Sequence, residues 1–343
     1  MASRGCYQDR NETLAEPSSS LAPGDICLAV GFSTVFVVGV TGNIMLLVAS
    51  TLSRKLQTKT SCLVVNLSVS DLLASAVQPF QVVPMLGRNR RALSEALYQL
   101  TAAISIISIG SSIVTIMLIA VNRCVLIIKP RHTYNRVFSS RNLVVMVIMS
   151  WLYPAAVLVV PQLTGHGRLG YSALTRLCIW DFTQKNAHTF VHVKRSALKS
   201  KSRSMTTEKR CLKHTELVIT KNLVCVVCCF VLCTTPFMAV FLAILFLQGP
   251  TLQRVVSLTP YVSLPLVLDS CLNPFIYGWK HPHFRVVMAC VLRRRWRDIP
   301  EPSRLLARIL DYNTGDRQTL QVFSAAKGCE TQSESVNIET KNI

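Results

Sequence analysis

The sequence is poor in charge. Asp, Glu, Lys and Arg make up only 16% of its 343 residues, while half of the residues are hydrophobic. A soluble chain of this length needs far more charge over its surface, so the deficit argues against a soluble protein and points to lipid. Catalytic patterns are missing as well: there is no His-Glu-x-x-His pair, no phosphate-binding glycine loop and no nucleophile elbow, and no enzymatic activity is expected. The first two dozen residues lack the apolar stretch of a cleavable signal peptide, so the first apolar run is expected to act as the targeting signal. Acids number 17 against 37 bases, a formal net charge of +20. Nucleic acid is not the expected partner, because the bases cluster in short segments flanking apolar runs, as cytoplasmic loops do under the positive-inside rule. The 13 cysteines lie mostly inside apolar runs, where a thiol packs as a small hydrophobe rather than forming a disulfide framework.

What is present is a series of apolar runs, each about the 20 residues that a helix needs to cross a bilayer. They are Cys27 to Ser50, Cys62 to Leu86, Leu100 to Ile128, Leu143 to Leu163, Leu223 to Leu247 and Val255 to Tyr277. The expected fold is an all-α transmembrane bundle: residues 1–25 an external tail, 26–297 the membrane domain, 298–343 a cytoplasmic tail. Asn11-Glu12-Thr13 is a glycosylation sequon ahead of the first run, consistent with an outside N-terminus.

The loop charges carry the topology. Arg54, Lys55 and Lys59 after the first run, Arg123 to Arg141 after the third, and Lys280 to Arg297 after the last mark the cytoplasmic side. The most basic stretch, Lys194 to Lys221, must also be internal, yet the fourth run ends outside and no apolar run intervenes. Gly165 to Phe190 carries Arg168, Arg176, Asp181 and Lys185 and is not a disguised span. The parity fails by one crossing, and the expectation is a helix lost at the Phe190–Val191 junction.

Polar residues recur inside the runs. Gly42-Asn43 lies in the first and Asn66-Leu67-Ser68-Val69-Ser70-Asp71 in the second. Asn122-Arg123 ends the third, Trp151 lies in the fourth, Cys233-Thr234-Thr235-Pro236 in the fifth, and Leu268-Asp269-Ser270-Cys271-Leu272-Asn273-Pro274-Phe275-Ile276-Tyr277 in the last. In this order the motifs resemble the rhodopsin-like (class A) G-protein-coupled receptors over about Cys27 to Arg295. Asn-Arg in place of Asp-Arg, Gln78-Pro79-Phe80, Phe138-Ser139-Ser140-Arg141-Asn142 and Ser270-Cys271-Leu272-Asn273 look most like melatonin receptors and the medium-chain fatty-acid receptor.

A carboxylate at mid-membrane must face the bundle and find partners, so Asp71 is expected near Asn43, Ser112, Ser270 and Asn273. The resemblance implies a sodium ion there, held by Asp71, Ser112 and Asn273. It also implies G-protein coupling through Asn122 and Arg123, with Glu216 as the resting partner of the arginine. Pro236, Phe230, Asn273, Pro274 and Tyr277 would form the switch, with Phe230 and Phe237 replacing a tryptophan that is Thr234 here. A ligand pocket would be lined by Gln78, Gln81, Ser105, Ile109, Phe237, Phe241 and Tyr261, with Trp180 as a lid. Amine receptors carry Asp where this chain has Ser105, and Val255 to Tyr277 holds no lysine for a retinal Schiff base, so the ligand implied is a small molecule or lipid of another kind. The external disulfide of the family would use Cys178, but Tyr98 stands where its partner belongs, leaving Cys178 free or paired with another cysteine such as Cys6. Cys290 is a candidate for palmitoylation. Thr331, Ser333, Ser335 and Thr340 are candidate phosphorylation sites for arrestin recruitment. The alternative reading is a non-signalling variant lacking one helix.

Overall fold

The computed structural model describes residues 23–86, 93–163, 168–172, 175–181, 214–247 and 249–310. In chain order the elements are α1 (Pro23–Leu52), α2 (Lys59–Ala76), α3 (Gln78–Leu86), α4 (Glu95–Ile128), α5 (Arg131–Val137), α6 (Ser140–Leu163), β1 (Arg168–Ser172), β2 (Leu177–Asp181), α7 (His214–Phe246), α8 (Gly249–Ser257), α9 (Thr259–Lys280) and α10 (Pro282–Leu292). Among the described residues six helical stretches are long and apolar enough to cross a membrane: Pro23–Leu52, Lys59–Leu86, Glu95–Ile128, Ser140–Val160, Val226–Ile244 and Thr251–Trp279. They coincide with the six apolar runs of the sequence. The Asn11 sequon, Cys6, the Phe190–Val191 junction and the candidate phosphorylation sites lie outside the described residues.

Local chemistry sets the helix ends and breaks. Thr58 caps α2 by accepting a hydrogen bond from the Ser61 N–H at 3.2 Å, and Ser94 caps α4 through the Leu97 N–H at 3.4 Å. The second apolar run is one span in sequence but two helices in space. Pro79 has no N–H to continue the ladder, and the chain turns at Val77 before restarting as α3. The last run breaks in the same way at Leu258, with Pro260 near the start of α9.

The bundle is built on close helix approaches. A Cβ on Gly42 of α1 would lie 2.8 Å from Pro274 of α9, and one on Gly110 of α4 would lie 2.6 Å from Pro154 of α6. Any side chain there would force the helices apart. α4 is central, touching α2, α6 and the hairpin, while α7 leans on α9. One apolar core fills the half of the bundle next to α10 (Leu46, Leu63, Leu67, Ile119, Phe284), and another fills the opposite half (Phe32, Val35, Met85, Val267).

Two features had no counterpart in the expectations. β1 and β2 form an antiparallel hairpin, in register from Arg168↔Asp181 to Ser172↔Leu177, that sits on the start of α4. Its turn places Arg176 in the left-handed region (φ 56°) and ion-pairs it to Asp25 of α1. In addition, residues 299–310 fold back on the loop after α1. Ser303 N–H donates to Leu52 O at 2.8 Å, Arg54 N–H to Glu301 O at 2.9 Å, and Ser53 Oγ to Pro300 O at 2.7 Å. Ile299 and Leu306 thereby join the core next to α10.

Candidate functional site

At mid-bundle, Asp71 on α2 is fully buried. Ser112 Oγ donates to its Oδ1 at 2.9 Å, and Asn273 Nδ2 donates to its Oδ2 at 2.7 Å. One carboxylate thus ties α2 to α4 and to the Asn-Pro segment of α9. Asn43 extends the cluster by donating through Nδ2 to Ser270 O at 3.0 Å and Gly39 O at 2.9 Å. Asp269, the second acid, is also buried. Below this cluster, Asn66 donates to Thr115 Oγ1 (2.7 Å) and Ser150 Oγ (3.1 Å) and accepts from Trp151 Nε1 (2.9 Å), so α2, α4 and α6 share one polar node. Polar groups in such an interior are expensive unless paired. Several nevertheless lack a partner, namely Asn43 Oδ1, Ser75 Oγ and Ser111 Oγ. Ser75 lies a helical turn from Asp71, and oxygens of this kind are the donors that a hard cation takes.

At the α10 end of the bundle a cavity of about 290 Å³ is lined by residues that include Lys55, Thr60, Ile119, Arg123, Tyr277, His281, His283 and Phe284. Tyr277 is buried against Phe284, with ring centroids 5.8 Å apart, and its hydroxyl has no hydrogen-bond partner. The His281 ring meets Phe284 edge-on at 5.1 Å, and its Nδ1 is likewise unpartnered. Burial, together with the nearby positive charge of His283 and Arg123, holds the His281 imidazole down at about 4, so it is neutral at physiological pH. His283 is lowered in the same direction, first by burial and then by Lys55. Asn122, beside Arg123, is fully buried and accepts from Thr60 Oγ1 at 3.0 Å while donating to Tyr134 OH at 3.3 Å. An amide serves both bonds without adding charge next to the guanidinium. Lys59 lies over the Tyr134 ring at 5.6 Å.

The remaining switch residues fall on α7. Pro236 lies inside that helix, Phe230 packs on the core next to α10, and Thr234 is buried with an unpartnered hydroxyl. Glu216 falls within the first turn of α7, and its side chain lies outside the described residues.

The candidate ligand residues lie toward the opposite end of the bundle. Gln78 is buried and donates back to Ala74 O of α2, leaving Oε1 unpartnered. Ser105 is buried with an unpartnered hydroxyl, and Ile109 packs on the core of that half. Phe237 and Phe241 are half-buried on α7. Gln81 is committed elsewhere: its Nε2 donates to Cys178 O (3.1 Å), and its Oε1 accepts the Cys178 N–H (2.7 Å). Tyr261 is 46% exposed and lies over Gly24 of α1. Trp180 pairs with Leu169 through the hairpin backbone, its side chain lying outside the described residues.

Cys178 is a free thiol, wholly buried against Tyr98 and Ala102, and Tyr98 in turn meets Tyr171 at 5.5 Å. Burial, then the Glu95 charge, pushes this thiol up to about 12. Gln81 and Tyr98 together hold the hairpin where a covalent bridge would otherwise be needed. A Leu-Cys-Ile-Trp run of strand-forming residues, Leu177 to Trp180, was the available sign of β2. Cys290 on α10 is half-buried, its Sγ 3.7 Å from Asp298 O.

Residues 42–197 match the family described as 7 transmembrane receptor (rhodopsin family). A Gq-coupled rhodopsin of Mizuhopecten yessoensis is 26% identical over 75% of this chain and 58% of its own length. Neuropeptides B/W receptor type 2 of Homo sapiens is 25% identical over 82% of this chain and 90% of its own. G-protein coupled receptor 84 of Bos taurus is 33% identical over a shorter stretch, 36% of this chain and 31% of that protein. In fold, the crystal structure of squid rhodopsin superposes with a TM-score of 0.63, covering 83% of this chain and 93% of that one at 17% identity. Residues 42–197 are thus similar in sequence to the rhodopsin family of seven-transmembrane receptors, and the chain is similar in fold to squid rhodopsin over most of its length, as a multi-span membrane protein.

Proposed function

We propose that the chain derives from a receptor that passes an extracellular small-molecule or lipid signal to a heterotrimeric G protein. The observation that carries the reading is the polar chain from Asp71 through Asn273 and Pro274 to Tyr277, which ends in a cytoplasmic cavity beside Arg123. Such a chain has two arrangements available: Tyr277 has an unpartnered hydroxyl, and Pro274 supplies the hinge. A ligand that favours one arrangement shifts the population towards it. The protein is placed in the plasma membrane with its N-terminus outside, and phosphorylated tail residues would recruit arrestin. Asp71, Ser112 and Asn273, with the unpartnered oxygens nearby, are proposed to hold sodium. Kinship to melatonin and medium-chain fatty-acid receptors is proposed on Asn122-Arg123 and Ser270-Cys271-Leu272-Asn273.

A second reading has its own support. Six spans are found among the described residues; with the N-terminus outside they would put the basic stretch Lys194 to Lys221 on the wrong side of the membrane, and on this reading the form lacks one helix and does not signal. Both readings are tested by one experiment in cells, measuring surface expression and basal G-protein activation. The chain is compared with a form carrying a fifth span inserted between Phe190 and Val191, and with the Arg123→Ala variant of that form. We expect activation only from the inserted form with Arg123 intact. Silence of a surface-expressed inserted form would overturn the receptor reading; signalling by the six-span chain would overturn the second.

A further inference from the structure

We propose that α10 and residues 293–310 form a binding site for an anionic phospholipid of the cytoplasmic leaflet. The inference rests on the chain spanning a membrane with this end in the cytoplasm, where its arginines put it under the positive-inside rule whatever the number of spans, and it does not depend on G-protein coupling.

The segment after α10 is fixed rather than trailing. Three hydrogen bonds to Leu52, Ser53 and Arg54, together with the buried Ile299 and Leu306, hold it against the loop after α1. What it then presents has a definite chemistry. From Arg285 to Leu310 the chain carries seven arginines against two acids, and Arg285, Arg293, Arg294, Arg295, Arg297, Arg304 and Arg308 are all exposed. One of the acids, Glu301, is already engaged with Lys55 at 3.9 Å. Large apolar side chains stand among the arginines: Leu292 is 71% exposed, Leu305 59%, Ile309 47% and Trp296 38%.

Their arrangement follows helical spacing. Over 304–310, Leu306 points into the core, Leu305 and Ile309 form the next stripe, and Arg304 and Arg308 the stripe beyond. A helix with one face on protein, one apolar face bare and one cationic face suits the membrane interface, where the apolar stripe enters the acyl boundary and the cations meet headgroups. Between α10 and the turn that follows it lies a cavity of about 270 Å³, whose floor is Val286, Ala289 and Cys290 and whose rim is Arg285, Arg293, Arg295 and Asp298. Guanidinium groups suit phosphate oxygens, and the apolar floor suits the start of an acyl chain. A soluble phosphate or nucleotide would leave Leu305, Ile309 and Leu292 bare, so the surface fits a lipid and not a free anion. α10 follows the last span, which ends at Trp279, within a few residues, and this holds the surface at the membrane.

The test uses the full chain in nanodiscs and reads backbone hydrogen exchange over 303–310 and 290–298. Three conditions are compared: phosphatidylcholine alone, phosphatidylcholine with phosphatidylserine, and phosphatidylcholine with added inorganic phosphate. We expect exchange to slow roughly tenfold in the anionic discs only. That slowing should be lost both in the double variant Arg304→Gln, Arg308→Gln and in Leu305→Ser, Ile309→Ser, with exchange over 52–56 unchanged as the mark of an intact docking strand. Equal exchange in neutral and anionic discs overturns the proposal. So does protection by inorganic phosphate alone, which would make this a free-anion site.

Discussion

One side chain of α3, Gln81, holds the backbone of the hairpin at Cys178, and removing it should loosen the hairpin measurably. In Gln81→Ala the buried N–H and C=O of Cys178 both lose their partners. An orphaned buried group costs about 1–3 kcal/mol, and with partial rehydration the pair should make local opening easier by roughly 2–4 kcal/mol. Cys178 reports on that opening. With its thiol pushed up to about 12, only about one molecule in 10⁴ is thiolate at pH 8, against roughly one in four for a free cysteine, so modification runs through the opened state. The rate of maleimide labelling at Cys178, followed by mass spectrometry of the protein in nanodiscs, should therefore rise about 30- to 700-fold, at 1.4 kcal/mol per tenfold. Gln81→Glu keeps the acceptor for the Cys178 N–H but loses the donor to its carbonyl, and should fall between. The thiol of Cys271, buried under α1, serves as the unaffected control. If Cys178 labels at the same slow rate in Gln81→Ala, the Asp25–Arg176 pair and the tyrosines hold the hairpin, and the reasoning fails.

Other consequences are testable in the same preparations. Asn122→Asp can still accept from both the Thr60 and Tyr134 hydroxyls, so thermal stability should change little, while a carboxylate beside Arg123 should lower basal signalling of the seven-span form several-fold. His281 is neutral in the folded state down to about pH 4 but titrates near 6.5 when unfolded. The unfolded state therefore takes up the proton first, and stability should fall by on the order of 2–3 kcal/mol as pH drops from 6.5 to 4. His281→Gln should flatten that slope in a series of unfolding midpoints; an unchanged slope would remove His281 from the explanation. If the cluster at Asp71 holds sodium, replacing potassium chloride with sodium chloride should raise the unfolding midpoint of the protein but not of Asp71→Asn. A gain retained in that variant would place the ion elsewhere.

The parts of this fold that sequence exposes are those governed by lipid. Every span announces itself as an apolar run, because an uncharged stretch of that length has no soluble alternative, and a mid-run acid such as Asp71 can face only inward. The breaks at Val77 and Leu258 were harder to see. A proline inside a membrane run can kink, break or leave a helix intact, and neighbours decide which. The hairpin and the docked segment 299–310 were not legible for a different reason. Their stability comes from long-range partners, Gln81 across to Cys178 and Leu52 across to Ser303, that no local pattern signals. Gln81 shows the same limit from the other side: a polar residue near the outer end of a span looks like a ligand contact until the structure shows it occupied by backbone.

Among the described residues α7 meets the bundle chiefly along α9, and its Val231, Leu232 and Leu242 are exposed. A helix gripped along a single seam has little protein to fix its inclination, so the bilayer supplies the remaining restraint. Its apolar stretch Val226–Ile244 is 19 residues, about 28 Å at the helical rise, close to the thickness of a typical hydrocarbon core. A thinner bilayer would tilt it and a thicker one would draw it upright. The angle of α7 against α9 then follows membrane thickness, which makes this chain's cytoplasmic geometry partly a property of the lipid around it.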